Sequence, residues 1–128
     1  MEILKILIQS IIAISIYNVW LFRVGKPTTF RGGDAQNMKD EFASYGLSET
    51  IMKLVGFLKL FLATILISPI IVNDPYGSYL SKFVEPAAIG MAALMLIAII
   101  MHVKVKDKMI KSFPAFTFLV LSILILVL

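Results

Sequence analysis

Tyr17, Asn18, Lys59 and His102 are the side chains in this otherwise apolar chain with the chemistry to hold a polar ligand. Lys59 is the most unusual. It lies within Ile51–Val72, the almost unbroken apolar run IMKLVGFLKLFLATILISPIIV, and about 20 helical residues of this kind cross a hydrocarbon core of roughly 30 Å. Eight residues at about 1.5 Å each put its backbone roughly 12 Å from Ile51, near mid-membrane. A charge at that depth is costly unless paired or hydrated, which makes it a functional-site candidate. The competing reading leaves the stem in lipid and lets the ammonium snorkel to the nearer interface. Gly56 at i−3 and Ala63 at i+4 share its side of the helix. Small residues mark the face that packs on other membrane helices, so Lys59 is expected to point into a bundle.

The other three candidates belong at one end of that bundle. Asn18 has Ser15 on its face and Tyr17 has Ser10. His102 ends a stripe running through Ala98, Met95 and Met91. A Lys59 ammonium reaching towards this end arrives near their depth, so the four are expected to line one polar pocket, ringed by Arg23 and Arg31. Arg31-Gly32-Gly33 ahead of a helix start is a candidate anion or lipid-headgroup site, although Asp34 as an N-cap would compete for the same amides. The bland alternative for His102 is a headgroup contact, and for Met91 and Met95 adaptable packing. One histidine and no cysteine cannot build an ordinary metal site, so none is expected. No carboxylate lies within a span, which argues against a transporter built on Asp or Glu relays.

The elements that position these residues follow from composition. The chain has 128 residues, 59% of them hydrophobic, with 16% charged and a mean hydropathy of +0.94. No soluble domain of this size has an interior large enough for that much apolar surface, so the solvent must be lipid. Residues 1–128 read as a single membrane domain. The net charge of +4 is confined to two loops and reports membrane orientation, not nucleic-acid binding. The absence of cysteine excludes disulfide, thiolate-metal and iron–sulfur chemistry.

Four spans are expected, at about 3–22, 51–72, 84–103 and 113–128. The first ends in aromatic residues without a small-residue cleavage site, so it should remain as a helix, with Tyr17 and Trp20 in the interfacial aromatic belt. Between the first two spans, Met38, Phe42 and Tyr45 recur at i, i+4 and i+7, predicting a short amphipathic helix capped by Asp34 and ending before Gly46. It should lie on the membrane or close over the bundle. Ser48 should cap the second span, with Glu49 in its first turn. Pro69 should kink or end that span. The third, rich in alanine and glycine, is expected to pack most centrally, and the last to face lipid most.

The fold class is therefore all-α, a four-transmembrane-helix antiparallel bundle. Outside the spans, Arg23, Lys26, Arg31, Lys39, Lys104, Lys106, Lys108 and Lys111 lie on one side, and Lys5 and Lys82 on the other. That bias puts the first side in the cytoplasm and both termini outside it.

The runs YNVWLFRVGKPTTFRGGDAQNMKDEFASYGL, VGFLKL and MHVKVKDKMIKSFPAF resemble the DoxX-like family of small four-helix bacterial membrane proteins. The resemblance implies an up-and-down bundle in a bacterial inner membrane. The family name comes from a subunit of a thiosulfate–quinone oxidoreductase, and other relatives are implicated in membrane redox complexes or in receptor assembly. The first expectation is thus a membrane subunit, not an enzyme on its own, that binds a quinone or similar amphiphile through Tyr17, Asn18, Lys59 and His102. Its expected partners are membrane lipid, a membrane or peripheral redox protein and a second copy of the chain, with quinone as the candidate cofactor. A non-catalytic assembly or scaffold protein is the alternative, and a small transporter ranks below both.

Overall fold

The computed structural model describes residues 2–26, 31, 35–72 and 82–128. Helix α1 spans Glu2–Tyr17 and continues as a π turn, Asn18–Phe22. The short α2 covers Met38–Ser44 and α3 covers Glu49–Ile71. Helix α4 is Val84–Lys104, and a 3₁₀ turn, Met109–Ser112, leads into α5, Phe113–Val127. No described residue belongs to a strand. Four of the helical segments are long and apolar enough to cross a membrane: Ile3–Phe22, Glu49–Ile71, Val84–Lys104 and Met109–Val127.

These four pack as a closed ring, α1 on α3, α3 on α4, α4 on α5 and α5 back on α1. One stripe of each faces inward, such as Ile8, Ile12 and Ile16 of α1 and Ala87, Ala88 and Met91 of α4. The outer faces carry large apolar side chains, among them Ile14, Phe57, Phe61, Ile89, Ile100 and Phe116. Water would not tolerate such a belt, whereas hydrocarbon is its proper solvent. Helix α5 buries least, 11% of its most apolar stretch against 28–33% in the others. Of the small residues of α4, Ala87 and Ala88 face the core, whereas Ala93 is exposed.

Contacts between α1 and α3 set the register of the bundle. Near the start of α1, the buried Gln9 donates from Nε2 to the carbonyl of Leu66, at 2.8 Å. That carbonyl lies in the turn disturbed by Pro69, which has no N–H to offer Ile65. Ser68 Oγ donates to Ile65 at 3.0 Å, so the helix continues two residues past the proline before it stops at Ile71. At the other end of α1, the Trp20 indole lies directly on the α3 backbone at Gly56. A Cβ there would come within 2.5 Å of the ring. The sequence reading puts Trp20 in the aromatic belt, but it points inward and is buried. Trp20 follows Ile12 and Ile16 at the four-residue spacing that shares the core face of a helix. The stretch that carries it is a π turn, closed by Arg23 N donating to Asn18 O at 3.1 Å.

Local signals end the shorter segments. Helix α2 is capped by Asn37, whose Oδ1 accepts from Asp40 N at 2.8 Å. Asp34, the cap expected from sequence, lies outside the described residues, as do Gly32, Gly33 and the link through Asp74, Pro75 and Gly77. Gly46, at φ 79°, stops α2 with a paired set of bonds, Gly46 N to Ala43 O and Leu47 N to Phe42 O. Helix α4 ends in the same motif, Lys106 N to Val103 O and Asp107 N to His102 O, but with Lys106 at φ 59° in the glycine position. Ser48 caps α3, its Oγ accepting from Ile51 N at 3.2 Å, with Glu49 in the first turn.

Gly56→Ala should cost about 1–3 kcal/mol, the usual range for overpacking, because a rigid indole cannot yield as a flexible side chain would. Thermal unfolding in detergent, read by tryptophan emission, should show a lower midpoint and a shifted spectrum. An unchanged midpoint would mean that Trp20 does not rest on α3.

Candidate functional site

Helices α2, α3 and α4, with the π turn and the start of α5, enclose a cavity of about 700 Å³. Its walls include Asn18, Arg23, Arg31, Lys59 and His102, five of the six residues singled out from sequence. Tyr17 is not among them. Its hydroxyl pairs with Thr64 Oγ1 on α3 instead, because neighbouring residues of a helix point about 100° apart and Tyr17 therefore does not share the face of Asn18.

Lys59 enters the cavity from α3. Its ammonium sits 5.6 Å from the centre of the Trp20 ring, a cation–π geometry. Glu41 of α2 lines the same space and is the carboxylate whose field reaches Lys59. Apolar residues of the neighbouring helices, Val55, Leu94, Met95 and Phe118, complete the wall at this depth.

A row of rings leads from Lys59 towards the helix ends. Trp20 meets Phe42 edge-on, with centroids 6.2 Å apart. Phe42 meets Tyr45 at 6.1 Å, and Tyr45 meets His102 edge-on at 5.7 Å. Edge-to-face pairs at these distances add a little beyond burial, about 0.5–1.5 kcal/mol each. Met38, Phe42 and Tyr45, the apolar stripe of α2, are all buried and line the cavity.

His102 is held from behind. Its Nδ1 lies 2.8 Å from Asp107 Oδ2, and both side chains are almost wholly buried. The backbone turn after α4 folds Asp107 back onto the helix it has just left. Lys111, one turn on, approaches the other carboxylate oxygen at 3.8 Å. The Tyr45 hydroxyl sits 3.4 Å from Nε2 and 3.5 Å from Nδ1, too long and too evenly shared to commit either nitrogen. Burial raises the Tyr45 phenol well above its ordinary range, and the Glu41 and Asp107 carboxylates push the same way, so it remains protonated. Lys104 fixes this corner by donating to the Tyr45 carbonyl at 3.2 Å.

Arg31 is committed to structure. Its guanidinium donates to the carbonyls of Arg23 and Lys26, the latter at 3.0 Å, and faces Glu41 at 3.8 Å. It therefore ties the chain leaving the π turn to α2. Burial lowers its pKa and Glu41 opposes that shift. A guanidinium so occupied has little left for a lipid phosphate, whereas Arg23 is exposed. Among the described residues no group of histidine and acidic side chains is arranged to hold a metal ion.

Sequence reasoning did not single out Trp20, Glu41, Tyr45 or Asp107 as site residues. Tyr45 carried a signal, its place on the α2 stripe, and Asp107 carried one as the single acid among four lysines. Nothing local connects Glu41 to Lys59.

Against known proteins, a family model described as the DoxX-like family matches residues 28–126, most of the chain. No curated protein and no solved structure matches it. The chain belongs to the DoxX-like family, and with four apolar helices of spanning length it is a small integral membrane protein.

Removing the guanidinium as Arg31→Leu should destabilise the protein by about 3 kcal/mol, because it strips a counter-ion and several carbonyl partners from a buried corner. Arg31→Lys should recover little, since a single ammonium cannot fork across those acceptors. Limited proteolysis between α1 and α2 and the unfolding midpoint report both effects. Parental behaviour of the leucine variant would show that the loop is held by other contacts.

Proposed function

We propose that this DoxX-like protein is a membrane subunit, an up-and-down antiparallel bundle, that binds a quinone or similar amphiphile beneath α2 and presents it to a membrane redox partner. The observation that carries this reading is the Lys59 ammonium held over Trp20 within a cavity whose other polar groups lie nearer the helix ends. Lys59 is ten residues into α3, about 15 Å from its start, while His102 is two residues from the end of α4. The cavity thus offers hydrogen-bonding groups at two depths, with apolar walls beside the deeper one. A flat ring with oxygens at opposite edges suits that layout better than a single-headed acid, which would leave one group unanswered.

In this reading Lys59 donates to one ring oxygen, His102 meets the other, and Asn18 offers a neutral donor beside the π turn. The Trp20–Phe42 surface stacks along the ring, and the tail leaves between apolar helix faces. Arg31 positions α2 and does not touch ligand. Tyr17, paired with Thr64, has its place outside the cavity wall. With no cofactor motif of its own, the chain would supply a ligand site and a surface, and the partner would supply the electrons.

The lysine-rich side places the cavity mouth in the cytoplasm and both termini across the membrane, in a bacterial inner membrane. A reporter inserted at Lys106 should therefore read cytoplasmic, and one fused after Leu128 extracytoplasmic. The reverse pattern would invert the orientation and put the mouth on the other side.

The ligand is tested by mass spectrometry of lipids that copurify from gentle detergent. Stoichiometric quinone is expected with the parent. Lys59→Leu should fold as well or better, since an intramembrane charge costs up to about 3 kcal/mol on insertion scales, yet lose the quinone. Lys59→Arg should retain part of it, because a planar fork replaces a compact ammonium. A leucine variant with the parent's quinone content would remove Lys59 from the site. A protein partner recovered without any quinone would favour the scaffold alternative.

A further inference from the structure

We infer that the cavity has a second, apolar compartment in the seam between α3 and α4, which holds the hydrocarbon chain of its ligand and admits that ligand from the bilayer. This rests on the reading that the cavity binds a quinone or similar amphiphile. The two helices touch at Leu62 and Gly90, where a Cβ on the glycine would come within 3.1 Å of Leu62 Cδ1. Residues three, four or seven apart return to nearly the same face of a helix. From that contact the stripe continues towards the cavity through Lys59 and Val55 on α3, and through Leu94, Ile97 and Met101 on α4. All five line the cavity. The seam is closed at Leu62 and Gly90, and beyond that contact it opens into the cavity.

At Ile97 this space reaches the lipid-facing surface. Ile97 lines the cavity, yet it is 49% exposed. It stands seven residues before the end of α4, roughly 10 Å along the helix, a depth at which the solvent is hydrocarbon. The side chains of the seam are apolar except Lys59, whose ammonium sits over Trp20. A hydrocarbon chain lying here exchanges lipid for protein without meeting water. Other ways out suit it less. Past the helix ends, α2 covers the cavity with the buried Met38, Phe42 and Tyr45, fastened by the Arg31–Glu41 pair and by Lys104 on the Tyr45 carbonyl. Beside the π turn the wall carries Asn18 and Arg23, polar side chains that suit a headgroup and not a chain.

The direction of the seam narrows the class of ligand. With polar groups at two depths answering oxygens at opposite edges of a ring, the line between those oxygens runs along the helices. A chain carried on a ring carbon next to one carbonyl leaves the ring across that line. Between α3 and α4 the wall opens to hydrocarbon on that course. The ligand class is thus a ring with one long alkyl or prenyl chain beside a carbonyl. A chainless ring would leave the seam empty, and a chain that continued the axis of its headgroup would run into the bundle. Ala98, one residue past Ile97, lines the cavity and is partly buried. Its small side chain leaves the room that the chain takes.

Trp20, the one tryptophan in the chain, lines the cavity and supplies the readout. Purified full-length protein in detergent is titrated with a dimethoxy-methyl-benzoquinone and with its decyl derivative, following quenching of Trp20. Ala98→Leu should weaken the decyl compound on the order of tenfold, as overpacking of an occupied seam does, and leave the chainless ring as tightly bound as in the parent. Val19→Phe, which enlarges the wall at the π turn, should not distinguish the two compounds. A second measurement needs no variant. A decyl benzoquinone with a diazirine midway along its chain is photolysed on the parent, and the labelled peptides are mapped by mass spectrometry. The label is expected on α3 and α4. Failure of both quinones to bind the parent would overturn the quinone reading itself. Binding with the label on α1 or α5 would overturn only the seam. So would an Ala98→Leu protein that binds the decyl compound as the parent does, or a loss confined to that compound in Val19→Phe.

Discussion

Holding one ammonium inside a bundle that faces lipid is the constraint from which the rest of the site follows. An ammonium at that depth is costly unless it is paired or hydrated, so the groups that surround it matter. They include an indole face and the carboxylate of Glu41. The indole can take that place only because α3 has no side chain at Gly56, three residues before the lysine. It follows Ile12 and Ile16 at four-residue spacing on the core face, from a stretch of the first span that runs as a π turn, Asn18–Phe22. Around that one charge a glycine and a tryptophan meet from two different elements.

The opposite end of the ring row is governed by how α4 stops. A Schellman-type end needs a left-handed residue, and here a lysine occupies that position in place of the usual glycine. Its φ of 59° is a mild strain that the fold accepts. The consequence is that Asp107 is returned to the helix terminus with its carboxylate on His102. Together with Tyr45 and the Arg31–Glu41 pair, this fastens α2 over the cavity mouth with polar contacts. Apolar packing holds the deeper part. Among the described residues no buried side-chain nitrogen or oxygen lacks a partner, as a polar cluster in a low-dielectric setting requires.

Membrane composition and site chemistry divide the chain between them. The outward faces of α1, α3, α4 and α5 need only be apolar, and they place no demand on shape. The inward faces must be small where backbones approach and polar where the mouth opens. Gly90, which packs against Leu62, and Ala63 serve the first demand. Asn18, Tyr45 and His102 serve the second. A bundle of this kind can alter its ligand contacts without altering its lipid surface.

The sequence by itself determined the class of protein. Apolar runs longer than a bilayer is thick, an absence of cysteine and a cationic excess carried by two loops are properties of composition and spacing, and no tertiary contact is needed to read them. The caps at Ser48 and Gly46 are likewise local, since each depends on neighbours a few residues away. Lys59 stood out for the same reason, as a charge in the wrong solvent. Other features depended on contacts between distant residues. A tryptophan near a helix end reads as an interfacial anchor until Gly56 on another helix is seen to make room for its ring. Tyr17 reads as a partner of Asn18 until Thr64 on another helix takes its hydroxyl. Arg31 reads as an anion site until its guanidinium is found on backbone carbonyls. Glu41 and Asp107 read as solvated loop acids until α2 folds over the bundle and α4 turns back on itself. Spacing along one helix reveals which side chains share a face. Which faces meet, and which charges then answer one another, was decided only when the four helices and their loops closed into one ring.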